Sequence, residues 1–344
     1  PENTAALTHQ SEIFVQGGNY REAQEYLDRI IGIDSNYIPA LKIYGELAYT
    51  LGKYDKASRY YGKYIRLGEY NDKELARYIN ILYFNKEYAA ANQLITPALK
   101  KDPKNAVMLR LNAYTSYELG KYAEGLEAIK SFFEVRNVAD TNKIITSDYE
   151  YAGKLYSKNG NDTEAVVYFR KAVELDATRS DLFEDIAKIY EKQKNYALAV
   201  EYYNQFINSR KGDVASSTYF SMGKDLLLIA NESITTADSV NRPVYLKKAG
   251  DAFSTVIEIS PASHLGYQWH ARVLAALDPE TTSGLAQPDY DKALEIIEQK
   301  SDLTKYKTDL IEIYRYLGYY YYLQFETAKQ AKDAVAAEAA KAES

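Results

Sequence analysis

The sequence predicts an all-α solenoid of about eight to nine helix-turn-helix repeats, on three observations. Small residues recur at Ala23, Ala57, Ala91, Gly125, Ala165, Ala199, Ala249 and Ala293, in steps of 34, 34, 34, 40, 34, 50 and 44. Self-similarity near 34 residues is the mark of a stacked helical array. Most of these positions follow a tyrosine by three residues: Tyr20, Tyr54, Tyr88, Tyr122, Tyr196 and Tyr290, with Asp162 and Leu246 as exceptions. Four residues after each comes a large side chain, among them Leu27, Tyr61, Ile95, Phe169, Tyr203 and Phe253. That spacing puts a small and a large residue on one helical face, where the small one admits a neighbouring helix.

The elements follow in order. Gly18, Gly52, Gly120 and Gly160 stand five residues before their small positions, where a left-handed residue ends one helix and lets the next begin. The helix before each turn carries its own signature: Tyr44-Gly45 with Ala48-Tyr49, Ala152-Gly153 with Tyr156, Ile186-Ala187 with Tyr190, and Leu317-Gly318 with Tyr321. Asp102-Pro103 and Ser260-Pro261 mark helix ends. The enlarged steps locate insertions at Asn137–Thr146, at Ile229–Pro243 and at Asp278–Pro288, the last two read as segments between paired helices. The expected organisation is a regular array over 1–214, repeats with inserted loops over 215–325, and a polar, alanine-rich capping helix or tail over 326–344.

With this register the chain resembles the tetratricopeptide repeat (TPR) family. The fullest matches run from Tyr149-Glu150-Tyr151-Ala152-Gly153-Lys154-Leu155-Tyr156 through Ala165, Phe169 and Ala172, and from Phe183 through Ala187, Tyr190, Ala199 and Tyr203. The resemblance covers about residues 4–325. It implies antiparallel helix pairs in a right-handed superhelix, with the first helix of each pair lining a concave groove. Gly125 departs from the alanine of the pattern, and Asp162 and Leu246 from its tyrosine.

Carrying over the groove positions gives an aromatic stripe, Tyr49, Tyr83, Phe84, Tyr114 and Tyr117, then a basic ladder, Lys154, Lys188, Lys224 and Arg272. Aromatics suit apolar side chains of an extended peptide, and cations attract its carboxylates. Glu150 and Glu184, four residues before Lys154 and Lys188, are competing intrahelical partners, whereas Phe220 and Gln268 hold those places before Lys224 and Arg272. The Lys-x3-Asn pair by which some TPR proteins clamp a terminal carboxylate is missing: Lys42/Glu46, Ala76/Asn80 and Arg110/Tyr114 each lack a partner.

Composition narrows the function classes. The 344 residues include 35 Tyr and no Cys, so disulfides and thiolate sites are excluded. A net charge of −6 argues against general nucleic-acid binding. No apolar run reaches the roughly 18 residues of a membrane span. His9, His264 and His270 show no zinc spacing, and phosphate-loop and nucleophile-elbow motifs are absent, so neither a metal, a cofactor nor an enzyme is expected. The expected function is a non-catalytic scaffold holding a protein or peptide segment in the groove, the alternative being a receptor for glycan or peptidoglycan fragments. Tyrosine-rich, cysteine-free chains of this kind resemble exported envelope proteins of Bacteroidetes-type bacteria. Pro1 stands where a methionine would, so a preceding segment has been removed, by processing or otherwise, and the resemblance implies a periplasmic or envelope location, with a cytoplasmic one as the alternative.

Overall fold

A computed structural model describes residues 3–136, 144–210, 212–235 and 240–342. The described residues form helices α1 (Thr4–Gln16), α2 (Tyr20–Ile33), α3 (Ile38–Thr50), α4 (Tyr54–Leu67), α5 (Asp72–Phe84), α6 (Tyr88–Lys101), α7 (Ala106–Glu118), α8 (Tyr122–Arg136), α9 (Thr146–Lys158) and α10 (Asp162–Leu175). They continue with α11 (Leu182–Lys192), α12 (Tyr196–Ser209), α13 (Ser216–Glu232), α14 (Arg242–Ile259), α15 (His264–Leu277), α16 (Gln287–Glu298) and α17 (Lys307–Ala342). Odd- and even-numbered helices up to α16 pair as hairpins, in the register of the small-residue ladder. The chain forms two compact units, Pro1–Asp176 and Ala177–Ser344.

The turn has one geometry in the first six hairpins, α1/α2 to α11/α12. At the end of α3 the Lys53 N–H donates to the Ala48 carbonyl (2.8 Å) and the Gly52 N–H to that of Tyr49 (3.0 Å), with Gly52 at φ +69. This is the paired-bond helix stop that needs a left-handed residue. Hairpins α5/α6 and α11/α12, with no glycine at this place, use the same stop: Lys86 and Lys194 take φ +62 and +59, and Glu87 and Asn195 donate back to Leu82 and Tyr190. The conformation belongs to the position, and lysine is strained into it.

Three hairpins close on a glycine slot in the first helix. A Cβ at Gly45 would lie 2.7 Å from the Cβ of Tyr61, one at Gly153 2.5 Å from the Phe169 ring, and one at Gly223 2.9 Å from Phe253. The ladder positions Ala23, Ala57, Ala91, Ala165, Ala199, Ala249 and Ala293 are fully buried. Gly125, where the pattern has alanine, is accounted for by Leu155, whose Cδ2 would meet an added Cβ at 2.7 Å.

The insertions behave differently from one another. The segment Ile229–Pro243 is not a simple loop: α13 runs on through Glu232 into a short 3-10 turn, and α14 already starts at Arg242. These two helices have 17 and 18 residues against 13 or 14 in the early hairpins, so much of the extra length is taken up as helix. The second segment is a loop, spanning 278–286, and it is ordered around the buried Asp278. One carboxylate oxygen of Asp278 accepts the N–H groups of Ser283 (3.0 Å) and Gly284 (2.9 Å). Of the stretch Asn137–Thr146, residues 137–143 lie outside the described residues. The expected tail is the continuation of α17.

Each unit has its own apolar core, to which tyrosines contribute their rings. Tyr61 and Tyr203 are fully buried. In the second unit the core also encloses Asp225 of α13, 0% exposed, with no hydrogen bond to either carboxylate oxygen among the described residues. Burial, reinforced by the nearby Glu191 and opposed by Lys224, pushes its carboxyl up to about 7.

Lys86→Gly and Lys194→Gly are each expected to raise stability by roughly 0.5–1 kcal/mol, read as a higher thermal midpoint, because they relieve left-handed strain. Asp225 keeps its proton in the folded state at pH values where the unfolded chain has released it, so its contribution declines as pH rises from about 4 to about 7. Asp225→Asn is therefore expected to gain on the parent by on the order of 2 kcal/mol between pH 5 and pH 8 in parallel urea titrations. A constant difference between the two curves would show that the carboxyl is not protonated in the core.

Candidate functional site

The first helices of the first unit carry the aromatic stripe as a continuous row. Tyr49 on α3 meets Phe84 at the end of α5 (ring centroids 5.8 Å apart), and Phe84 meets its neighbour Tyr83 (5.4 Å). Tyr83 reaches Tyr114 on α7 (6.0 Å), which stacks on Tyr151 of α9 at 4.2 Å, and Tyr151 meets Tyr117 edge-on at 5.5 Å. All five stripe residues thus come together through a sixth ring that the groove positions did not include. Tyr151 lies three residues before Lys154, off the carried-over register, and only its place in the Tyr149-Glu150-Tyr151 run signals it.

The rings differ in what they offer. Phe84 is 44% exposed, Tyr49, Tyr83 and Tyr117 are half-buried, and Tyr114 is only 7% exposed. Tyr114 therefore presents little surface to a ligand, contrary to expectation. Its hydroxyl donates to Asp148 (2.8 Å), a fully buried carboxylate held in a fork by Arg110 at 2.7 and 2.6 Å and accepting the Ile145 N–H at 2.8 Å. Burial, then the adjacent Asp148, pushes the Tyr114 phenol up. Tyr83 and Tyr151 share a short hydroxyl contact, and Tyr151 donates to Glu118 at 2.7 Å. The polar edges of these rungs are spent inside the protein; faces and ring edges remain.

Beside the row, α5 and the start of α7 border a cleft of about 400 Å³ lined by Asp72, Lys73, Ala76, Arg77, Asn80 and Asn105, with Val107 and Met108. The Arg77 guanidinium lies over the Tyr49 ring at 5.1 Å, joining the cleft to the aromatic row. The cleft therefore pairs hydrogen-bond donors with an apolar shelf.

The basic ladder does not survive as four available cations. Lys154, in the first unit, pairs with Glu150 at 2.6 Å and lies over Tyr151 and Tyr117 at 5.4 and 5.9 Å. In the second unit, Lys188 pairs with Glu184 at 2.9 Å. Arg272 is gripped by Glu312 of α17 through two bonds, the Nε–Oε1 one at 2.7 Å, a partner that lies 40 residues away in sequence. Lys224 approaches the face of Trp269 (5.8 Å), over which Arg272 also sits at 4.1 Å. Close pairing of this kind offsets the charge a ligand carboxylate would seek. Trp269 is the functional candidate that repeat spacing missed, since no other repeat carries a tryptophan there.

Among the described residues, no cluster of three or more potential metal ligands occurs. His270 has the one arrangement that invites a catalytic reading: its Nδ1 is 2.6 Å from Asp289 and its Nε2 3.5 Å from the Ser254 hydroxyl. Ser254 lies inside α14, where the surrounding backbone N–H groups serve the helix and cannot stabilise an oxyanion. The contact links α14, α15 and α16. Nor is any helix of the described residues long and apolar enough to cross a membrane.

A tetratricopeptide repeat family model matches residues 2–214. Among solved structures, the chain is similar to the C-terminal part of a TPR repeat-containing protein from Cytophaga hutchinsonii. The two are 30% identical with a TM-score of 0.59, over 74% of this chain and 90% of that one. MamA from Desulfovibrio magneticus RS-1 is 20% identical with a TM-score of 0.43, over 52% of this chain and 97% of that one. Anaphase-promoting complex subunit 3 of Schizosaccharomyces pombe is 20% identical over 211 residues, which is 61% of this chain and 30% of that protein. The chain thus spans under a third of that curated relative. TPR repeats are in general non-catalytic scaffolds for protein interaction. With its repeat ladder realised as helical hairpins, the first six closed by one kind of turn, the chain belongs to the tetratricopeptide repeat family.

Proposed function

We propose that the chain is a scaffold whose first unit holds an extended peptide segment of a partner protein along the first-helix faces of α3, α5 and α7. The carrying observation is the aromatic row with the α5/α7 cleft beside it and Arg77 shared between them. Phe84 and Tyr49 offer ring surface to an apolar or proline side chain. Arg77, Lys73 and Asn80 offer donors to the segment's carbonyls or to an acidic side chain. The paired state of Lys154 and the burial of Tyr114 assign those two to support of the surface. Lys188 and Arg272 of the second unit are paired with Glu184 and Glu312, so the reading rests on the first unit.

Peptides selected from a random library against the full chain provide the probe. Phe84→Ala and Arg77→Ala are each expected to weaken the selected peptides by roughly tenfold in calorimetric titrations, since anchors of this type carry about 1–2 kcal/mol. Lys188→Ala is expected to leave binding unchanged. Retained affinity in both first-unit variants would remove the site from this surface. Binding of peptidoglycan fragments lost in Phe84→Ala, with no peptide bound, would favour the glycan reading.

A further inference from the structure

The seventeenth helix carries the code of a first helix with nothing in its slot. In the hairpins above, the glycine of the first helix receives an aromatic ring from the second: Tyr61 sixteen residues after Gly45, and Phe169 sixteen after Gly153. Gly318 follows Leu317 as these glycines follow their own large or small partners, yet no atom lies within 4 Å of where its Cβ would stand. The residue at the same offset, Ala334, belongs to α17 itself, which continues unbroken to Ala342. Among the described residues α17 packs on α16 and on the turn before it, and takes polar contacts from Gln268 and Arg272 of α15 and from Ala286 of the 278–286 loop. Its other face is left bare, with Ile311, Tyr314, Tyr321, Tyr322 and Phe325 between 51% and 64% exposed.

The order of these side chains says what covers them. Ile311 and Phe325 lie seven residues on either side of Gly318, and Tyr314 and Tyr322 lie four on either side. At 3.6 residues per turn all five positions share one stripe. A stripe that reads alike in both directions about a glycine is complementary to itself when the helix is turned end for end. Ile311 then meets Phe325 of the other copy, Tyr314 meets Tyr322, and the two glycines let the backbones approach at the axis. That is the requirement for an isologous two-fold interface. We infer that α17 forms a homodimer by antiparallel packing of this stripe against a second copy, with the two-fold axis at Gly318.

The area is sufficient. At roughly 150–250 Å² for a whole aromatic side chain, the exposed halves of these residues supply about 500 Å² per copy. The pair thus buries about 1,000 Å² before flanking residues are counted, the size at which a specific interface begins. Packing rests on rings, and aromatic side chains are the ones enriched at interface centres.

Sedimentation of the full chain tests the inference. A concentration-dependent dimer is expected in the micromolar range, with the dissociation constant raised at least tenfold by Tyr322→Glu and by Gly318→Gln. Both side chains would point into open space in the single copy, so circular dichroism and the thermal midpoint should be unchanged or, for Gly318→Gln, raised. Gly318→Cys in this cysteine-free chain is expected to oxidise to a covalent dimer, because the two thiols meet on the axis. The inference is overturned if the parent is monomeric throughout, if its dimer survives both substitutions, or if Gly318→Cys does not cross-link. Capture of a foreign helix by a monomeric chain through the same stripe would also overturn it.

Discussion

Close approach of paired helices at a residue without a side chain is the constraint on which the rest of this structure depends. At Gly45 even the backbone nitrogen of Tyr61 would be within 2.8 Å of an added Cβ, so the contact lies between helices and not merely between side chains. Such packing holds the two helices at one distance and one register. The residues of the first-helix face are then aimed consistently from one hairpin to the next. The aromatic row works between hairpins: rings on α3, α5, α7 and α9 meet at centroid distances of 4.2 to 6.0 Å.

Polar chemistry in the first unit serves the same end. Asp148 is fully buried and still satisfied, with the Arg110 fork, the Tyr114 hydroxyl and a backbone N–H as partners. Removing Arg110 would leave Asp148 an unpaired charge in the interior, which is far more costly than the pair is favourable. The group ties α7 to α9 across the stretch where the repeat spacing is stretched. Asp225 in the second unit is the opposite case: its carboxylate is buried without a hydrogen bond, and protonation is the available relief.

Much of the candidate row was legible in the residues. Tyr49, Tyr83, Phe84 and Tyr117 fall where the repeat register puts them, since a helical face follows from spacing alone. Tyr151 and Tyr114 show the limit: the first joins the row from outside the groove register, and the second lies within that register yet is buried. Exposure depends on what neighbouring helices cover. The engagement of the basic ladder has a related origin. Glu150 and Glu184 are visible as partners four residues away, but Glu312 reaches Arg272 from a helix 40 residues on, and no local pattern announces that.

Periodicity by itself determined the helical hairpins, their turns and their membership of a repeat family, because a small residue every 34 positions has few other physical uses. It also located the insertions. Only the tertiary structure decided that α13 and α14 lengthen where a loop was expected, that Lys86 and Lys194 adopt the glycine conformation, and that α17 keeps an unfilled slot. Those outcomes turn on packing between segments distant in sequence, where the energy of a contact is set by what is brought near and not by the residues on either side.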